Sequence, residues 1–187
     1  QRVAGEMYWT AIHIPEEYGG LGLGYVELVA VMEQMGRYLL CAPYFSSVCL
    51  GANALLVAGN EEQKGEYLPR IAEGGLRATL AWCGASGRWD ASGVSATCVR
   101  SGDAFVLNGS YRYVVDGHTA ELLVVAARAP GSSGAAGLSL FVLPADIPVR
   151  RSQTVSIPVR GRRAPDRLRI DYTDWGPVIS EQPRLAL

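Results

Sequence analysis

The sequence predicts an α+β chain in which an N-terminal helical domain is followed by an antiparallel β-barrel or sandwich domain. Three observations predict it. Apolar residues recur at helical spacing as far as Gly75 and alternate beyond it. Helices come first and strands second, which gives segregated layers and excludes a doubly wound sheet. Turn chemistry at Ser101-Gly102-Asp103 and Asn108-Gly109 separates short alternating runs, as in a meander.

The helical elements follow in order. Val26, Val29 and Ala30 open an i, i+3, i+4 face that continues through Met32 and Met35, and Gly36-Arg37 falls near its end. Pro43 suits an early helical position in a second segment carrying Val48, Leu50, Leu55, Leu56 and Val57. Asn60 caps a third helix, with Gln63 at capping-box distance and Glu61 and Glu62 at the positive end of the dipole. Pro69 kinks or restarts that helix, and Gly74-Gly75 ends it. The expected strands are Ala78–Cys83, Val94–Arg100, Ala104–Leu107, Tyr111–Val115, Leu122–Ala127, Leu138–Leu143, Thr154–Ile157 and Leu168–Tyr172. The small residues between Pro130 and Gly137 read as a loop.

Composition narrows the function. In 187 residues, 49% are hydrophobic and 19% charged, so the chain can bury a core and is not disordered. A net charge of −1 leaves no basic excess to offset phosphates, which argues against nucleic acid. Two histidines and four cysteines without CxxC spacing do not suggest a metal site. The longest uncharged run, 41–60, holds Pro43, Ser46, Ser47 and Asn53, and reads as a buried helix rather than a membrane span. With no leader-like opening and thiols read as reduced, the expected location is cytoplasmic.

Several motifs have a plain structural reading beside a sharper one. Gly19-Gly20-Leu21-Gly22-Leu23-Gly24 follows a strand-like Trp9–Ile14, yet a G-x-G-x-x-G frame puts Tyr25 or Glu27 where its last glycine belongs. No βαβ unit follows, so a dinucleotide site is rejected. Pro15-Glu16-Glu17-Tyr18 reads as a solvated turn with a packed tyrosine. Ser86, His13 and Asp90 could form a nucleophile triad only on paper, because no G-x-S-x-G surrounds Ser86. Cys83 reads as a buried structural thiol. Trp82, Trp89, Tyr111 and Tyr113 form either part of a β core or the wall of a pocket for a flat cofactor.

Three longer stretches resemble the acyl-CoA dehydrogenase family. Residues 9–24 (WTAIHIPEEYGGLGLG) are similar to its P-E-E-Y-G-G-x-G turn, residues 59–74 (GNEEQKGEYLPRIAEG) to its G-(T/N)-E-E-Q-K-x-x-Y-L-P-x-(I/L)-A-x-G helix, and residues 106–117 (VLNGSYRYVVDG) to its V-L-N-G-x-K-x-(F/W)-I-(T/S)-N-G hairpin. The resemblance implies an N-terminal helical domain over 1–77, truncated at its start, a middle β domain over 78–175, and a connector, 176–187, to a C-terminal four-helix domain that is absent. It further implies α,β-dehydrogenation of an acyl-CoA with FAD as cofactor, and an electron-transfer flavoprotein or similar acceptor. Homo- or hetero-oligomeric assembly follows as well. The proton-abstracting carboxylate belongs to the absent domain, so no residue is assigned as base and the 187-residue chain alone is expected to be inactive.

By the same resemblance the flavin contacts fall on Trp82, Cys83, Trp89, Tyr113, Val114 and Val115, and substrate contacts on Ser86 and Asp90. Residues 81–90 (AWCGASGRWD) depart from the family's A-x-T-E-P-x-A-G-S-D pattern, with Cys83 for its threonine and Trp89 for its serine. Val115 replaces the threonine of the hairpin and removes a hydrogen bond worth about 0.5–1.5 kcal/mol. Gly87-Arg88-Trp89-Asp90 is similar to the R-(Y/W)-D form of actinobacterial and pimeloyl-type subunits, which often work as mixed pairs. Two readings therefore stand: a flavin site built on backbone N–H groups, or a flavin-poor, non-catalytic subunit whose pocket is filled by its own side chains. A third, a free-standing β module, requires residues 78–175 to fold and bind alone.

Overall fold

In the computed structural model, residues 6–102, 104–144, 151–158, 167–175 and 184–186 are described, the last three segments as backbone only. The first five residues of the expected 1–77 helical domain lie outside them, as does most of the 176–187 connector.

The chain opens with a tight reversal rather than the strand-like Trp9–Ile14. A 3₁₀ turn, Trp9–Ala11, and a second, Glu16–Tyr18, bracket it. Leu21, Gly22 and Leu23 donate their N–H groups back to Ala11, Ile14 and Ile12 at 2.9–3.0 Å. A Cβ at Gly20 would fall on the Ile14 carbonyl, so this glycine serves close backbone approach and not a phosphate. Tyr18 donates its hydroxyl to Glu61 at 2.6 Å.

Three helices follow. Helix α1 is Tyr25–Arg37, with Gly24 N–H bonded to Glu27 at 2.8 Å. Helix α2 begins as wide π-type turns over Phe45–Ala52 and runs directly into α-helical Asn53–Ala58. Helix α3, Glu61–Ala72, starts with the reciprocal Asn60–Gln63 box that its sequence predicts, Asn60 Oδ1 accepting at 2.8 Å and Asn60 N–H donating at 3.1 Å. The helix continues through Pro69 to Ala72, and Gly74 then turns out with φ 72°.

The sheet is mixed rather than wholly antiparallel. Strand β1 (Ala78–Ala81) runs parallel to β4 (Leu122–Arg128), in register from Ala78↔Leu122 to Ala81↔Val125. Strand β5 (Leu138–Pro144) runs antiparallel to β4 along its length. Strands β2 (Thr97–Ser101) and β3 (Ala104–Asn108) form the expected hairpin, with Gly102 at φ 64° in its turn. Strand β2 touches the end of β4 at Thr97↔Arg128. Strands β6 (Arg151–Pro158) and β7 (Arg167–Trp175) pair separately, while β8 (Arg184–Ala186), within the expected connector, lies antiparallel to β3. A parallel return needs a long crossover, and the residues from 82 to 121 supply it.

Tyr111–Val115 is not a strand. Tyr113 at φ 57° and Asp116 at φ 52° occupy left-handed backbone that no ladder accommodates. Every residue of β4 is buried, as expected of a strand covered on both faces. Its Leu122 and Val124 pack with Leu55, Leu68 and Ile71 of the helices, and its Leu123, Val125 and Ala127 pack with Phe141 and Leu143 on the other face.

Two glycines give predictions of opposite sign. A Cβ at Gly51 would stand 2.5 Å from that of Ala78, where α2 lies against β1. Gly51→Val is expected to destabilise by about 1–3 kcal/mol or more through overpacking. Gly65, inside α3, has open space around it, so Gly65→Ala is expected to stabilise by about 0.5–1 kcal/mol. Urea denaturation of both variants checks the pair.

Candidate functional site

Beyond β1 the chain enters a compact loop, 82–90. Trp82, half-buried, donates its indole N–H to the Asp90 carbonyl at 3.2 Å. Buried Cys83 donates its thiol to the Arg88 carbonyl at 3.2 Å, and all four cysteines are free thiols. Gly84 N–H bonds to Gly93 O, and a Cβ there would collide with Ser95 Oγ at 2.2 Å. Asp90 accepts from Arg88 Nη2 at 2.7 Å and Nε at 3.1 Å, from Ser92 N at 2.9 Å, and from the Ser92 hydroxyl. These bonds, Arg88 first, hold its carboxyl down to about 2. Both oxygens of Asp90 thus serve the loop itself, capping the 3₁₀ turn Ala91–Gly93. Ser86, exposed, accepts the Arg88 N–H at 3.4 Å.

The second segment, 111–116, is pinned to the sheet and to α2 by Tyr111, one of the aromatics the sequence offers, and by Thr79 and Ser46, which the sequence does not mark as site residues. Thr79, fully buried on β1, donates its hydroxyl to the Val115 carbonyl at 2.7 Å. Tyr111 donates to Ala126 O of β4 at 2.8 Å, and burial pushes its phenol well above the usual range. Asp116 Oδ2 accepts from the fully buried Ser46 hydroxyl of α2 at 2.6 Å. Side-chain bonds to partners 15 to 70 residues away leave no local pattern, so only the Tyr111 aromatic carried any signal.

The two segments lie side by side. Arg112 N–H donates to Cys83 O at 2.8 Å, and a Cβ on Gly87, itself at φ 70°, would meet the Tyr113 ring at 3.6 Å. Trp89 is 66% exposed and Tyr113 71%, so both aromatic side chains stand in the open. Val114 and Val115 are half-buried. Among the described residues, the N–H groups of Ser86, Trp89, Tyr113 and Val115 meet no acceptor. The combination fits a flat heteroaromatic group with a polar edge: apolar faces for the ring, and amide donors for its carbonyl and nitrogen acceptors. Past Asp116 an open groove of about 980 Å³ is lined by Leu40, Cys41, Pro43, Arg77 and His118 among others.

His13 does not join Ser86 and Asp90. It lies 7% exposed in the helical layer, with Nε2 3.0 Å from Asn53 Oδ1, which also accepts the Tyr25 hydroxyl at 3.0 Å. The acceptor fixes the proton on Nε2. Nδ1 is then a bare, buried acceptor with no partner among the described residues.

A family model described as "Acyl-CoA dehydrogenase, N-terminal domain" matches residues 1–75. Mitochondrial isovaleryl-CoA dehydrogenase of Solanum tuberosum is 32% identical over 144 residues, covering 76% of this chain and 35% of the relative. The chain thus spans about a third of the length of the curated relatives it matches. The structure of a glutaryl-coenzyme A dehydrogenase–glutaryl-CoA complex superposes with a TM-score of 0.74 at 27% identity, over 82% of this chain and 40% of that one. The ChsE4–ChsE5 complex from Mycobacterium tuberculosis superposes with a TM-score of 0.67 at 26% identity, over 80% and 38%.

Burial lowers the His13 pKa, against a smaller opposing effect of the Asn53 bond. The fold therefore favours neutral imidazole, and the unfolded chain binds the proton more readily. The stability this contributes is complete above the unfolded value near 6.5, and is lost as pH falls below it through the folded value. His13→Gln is expected to flatten the fall in melting temperature between pH 7 and pH 5, roughly the window set by the unfolded histidine pKa. Parallel melting curves for variant and wild type would contradict it.

Proposed function

The chain belongs to the acyl-CoA dehydrogenase family, and from that premise we propose that residues 1–77 and 78–175 form the helical and middle β domains of an FAD-dependent acyl-CoA dehydrogenase, with 176–187 as the connector beyond them. The substrate class is an acyl-CoA thioester. The observation that carries the reading is the juxtaposition of loop 82–90 with segment 111–115, joined by the Arg112 N–H bond to Cys83 O, with Trp89 and Tyr113 exposed and the N–H groups of Ser86, Trp89, Tyr113 and Val115 without an acceptor among the described residues. Bound there, FAD supplies the two-electron oxidation of the Cα–Cβ bond. Trp82, Cys83, Trp89, Tyr113, Val114 and Val115 are the proposed flavin contacts. The rings of Trp89 and Tyr113 would supply apolar contact and exclude water, and the Val115 amide, held by the Thr79 bond to the adjoining carbonyl, would offer a donor to its polar edge.

Ser86 is the proposed substrate contact, its hydroxyl exposed at the loop tip. Asp90 acts on substrate indirectly, through the loop conformation that its four hydrogen bonds maintain. We assign no residue here as the proton-abstracting base, and propose that it comes from protein beyond these domains. Free thiols fit a reducing, cytoplasmic setting. Exposed Tyr25, Val26 and Val29 on α1, with Tyr38 and Leu39 after it, favour an oligomer, and an electron-transfer flavoprotein or a similar acceptor would reoxidise the flavin.

The second reading, a flavin-poor subunit of a heteromeric enzyme, is favoured by Val115, which offers no hydroxyl, and by the heteromeric complex among the similar structures. Val115→Thr in the intact protein separates the two. Under the first reading it tightens FAD binding about three- to tenfold, one hydrogen bond's worth. Absence of FAD in wild type and variant alike, with or without a partner subunit, would favour the second. Dye-coupled acyl-CoA turnover by residues 1–187 alone is expected to be absent, and more than trace turnover would contradict the placement of the base.

A further inference from the structure

Arg128, the last residue of β4, is 8% exposed, and no carboxylate among the described residues lies within ion-pair distance of it. Four of its five N–H donors go to backbone carbonyls. Nε donates to Val94 O at 2.7 Å and Nη1 to Ser132 O at 3.0 Å, while Nη2 donates to Ala91 O and, at 3.0 Å, to Gly134 O. A buried cation without a counter-ion is costly unless every donor is satisfied, and a planar fork can satisfy several at fixed angles.

The four acceptors belong to two segments. Ala91 opens the 3₁₀ turn that closes loop 82–90 and Val94 follows it, and Gly93 of that turn accepts the Gly84 N–H at 3.0 Å. Ser132 and Gly134 belong to a glycine-rich connection between β4 and β5, where Gly131, Gly134 and Gly137 all have positive φ. Neither segment forms a strand, and Arg128 N–H also donates to Ala96 O at 2.9 Å. One side chain thus ties the base of the loop to the rigid central strand and to the turn that follows it.

We propose that Arg128 is a positioning residue for the flavin surface: its guanidinium fixes 91–94 and, through the Gly84–Gly93 bond, the conformation in which loop 82–90 faces Tyr113. The inference rests on the flavin reading above. A lysine at this position keeps the charge but carries three donors on a flexible stem, and cannot hold four carbonyls in one plane.

The test is made on the intact protein with Arg128→Lys, and with Thr10→Ala as a control that loses a hydrogen bond far from the loop in sequence, Thr10 to Ala72. FAD titration, visible circular dichroism of the bound flavin and melting of the apo-protein are read together. Arg128→Lys is expected to raise the FAD dissociation constant about tenfold and to alter the flavin dichroism, the control altering neither. Unchanged affinity and dichroism in Arg128→Lys would overturn the inference. So would an equal change in the control, since that would make it a general stability effect. If Arg128→Lys does not accumulate, hydrogen exchange of the wild type decides. Protection on FAD binding at both 84–93 and 131–134 supports the clamp, and protection at 84–93 alone overturns it. A wild type that binds no FAD overturns the functional reading and this role with it, whereas one that binds FAD but is indifferent to Arg128 overturns only the latter.

Discussion

The hydroxyl of Thr79 is fully buried, and the bond it makes crosses 36 residues to the carbonyl of Val115. A buried hydroxyl without an acceptor costs about 1–3 kcal/mol, so β1 and segment 111–116 are held to one arrangement. The loop that continues β1 is thereby set beside Tyr113. Because β1 is parallel to β4, the chain leaves β1 at the same end from which it leaves β4, which puts loop 82–90 within reach of Arg128. The helical layer joins the arrangement from the other side, where Ser46 reaches Asp116 and Gly51 brings α2 against Ala78.

The candidate surface is built by backbone more than by side chains. Cys83 and Asp90 turn their polar atoms inward on their own loop. What they leave outward is a set of amides and two aromatic faces. Left-handed Tyr113 and Asp116 cost free energy, of order 1–3 kcal/mol each for a strained residue and less for Asp, and they persist because neighbours over-determine them.

Local chemistry was legible in the sequence. Asn60 and Gln63 announced a capped helix, Gly102 a hairpin turn, and the loss of helical periodicity after Gly75 the passage from helices to sheet. The two candidate segments were legible as a cluster of aromatics, Trp82, Trp89, Tyr111 and Tyr113, and residue by residue only through family resemblance. Their positioning groups were not legible at all: Thr79 looked like any strand threonine, and Arg128 like a charged strand end. Tyr111–Val115 alternated as a strand does, but tertiary bonds through Tyr111, Val115 and Asp116 overrode that local preference. The parallel pairing of β1 with β4 was hidden for the same reason, since periodicity identifies a strand and not its neighbour.

The measurement that bears most directly on this account is FAD titration of the intact protein carrying Thr79→Val, which deletes one hydroxyl and leaves the Val115 carbonyl unpaired. Native far-ultraviolet dichroism is expected with FAD affinity reduced about tenfold, as the Val115 amide loses its fixed position. Native dichroism with undiminished FAD affinity would contradict it.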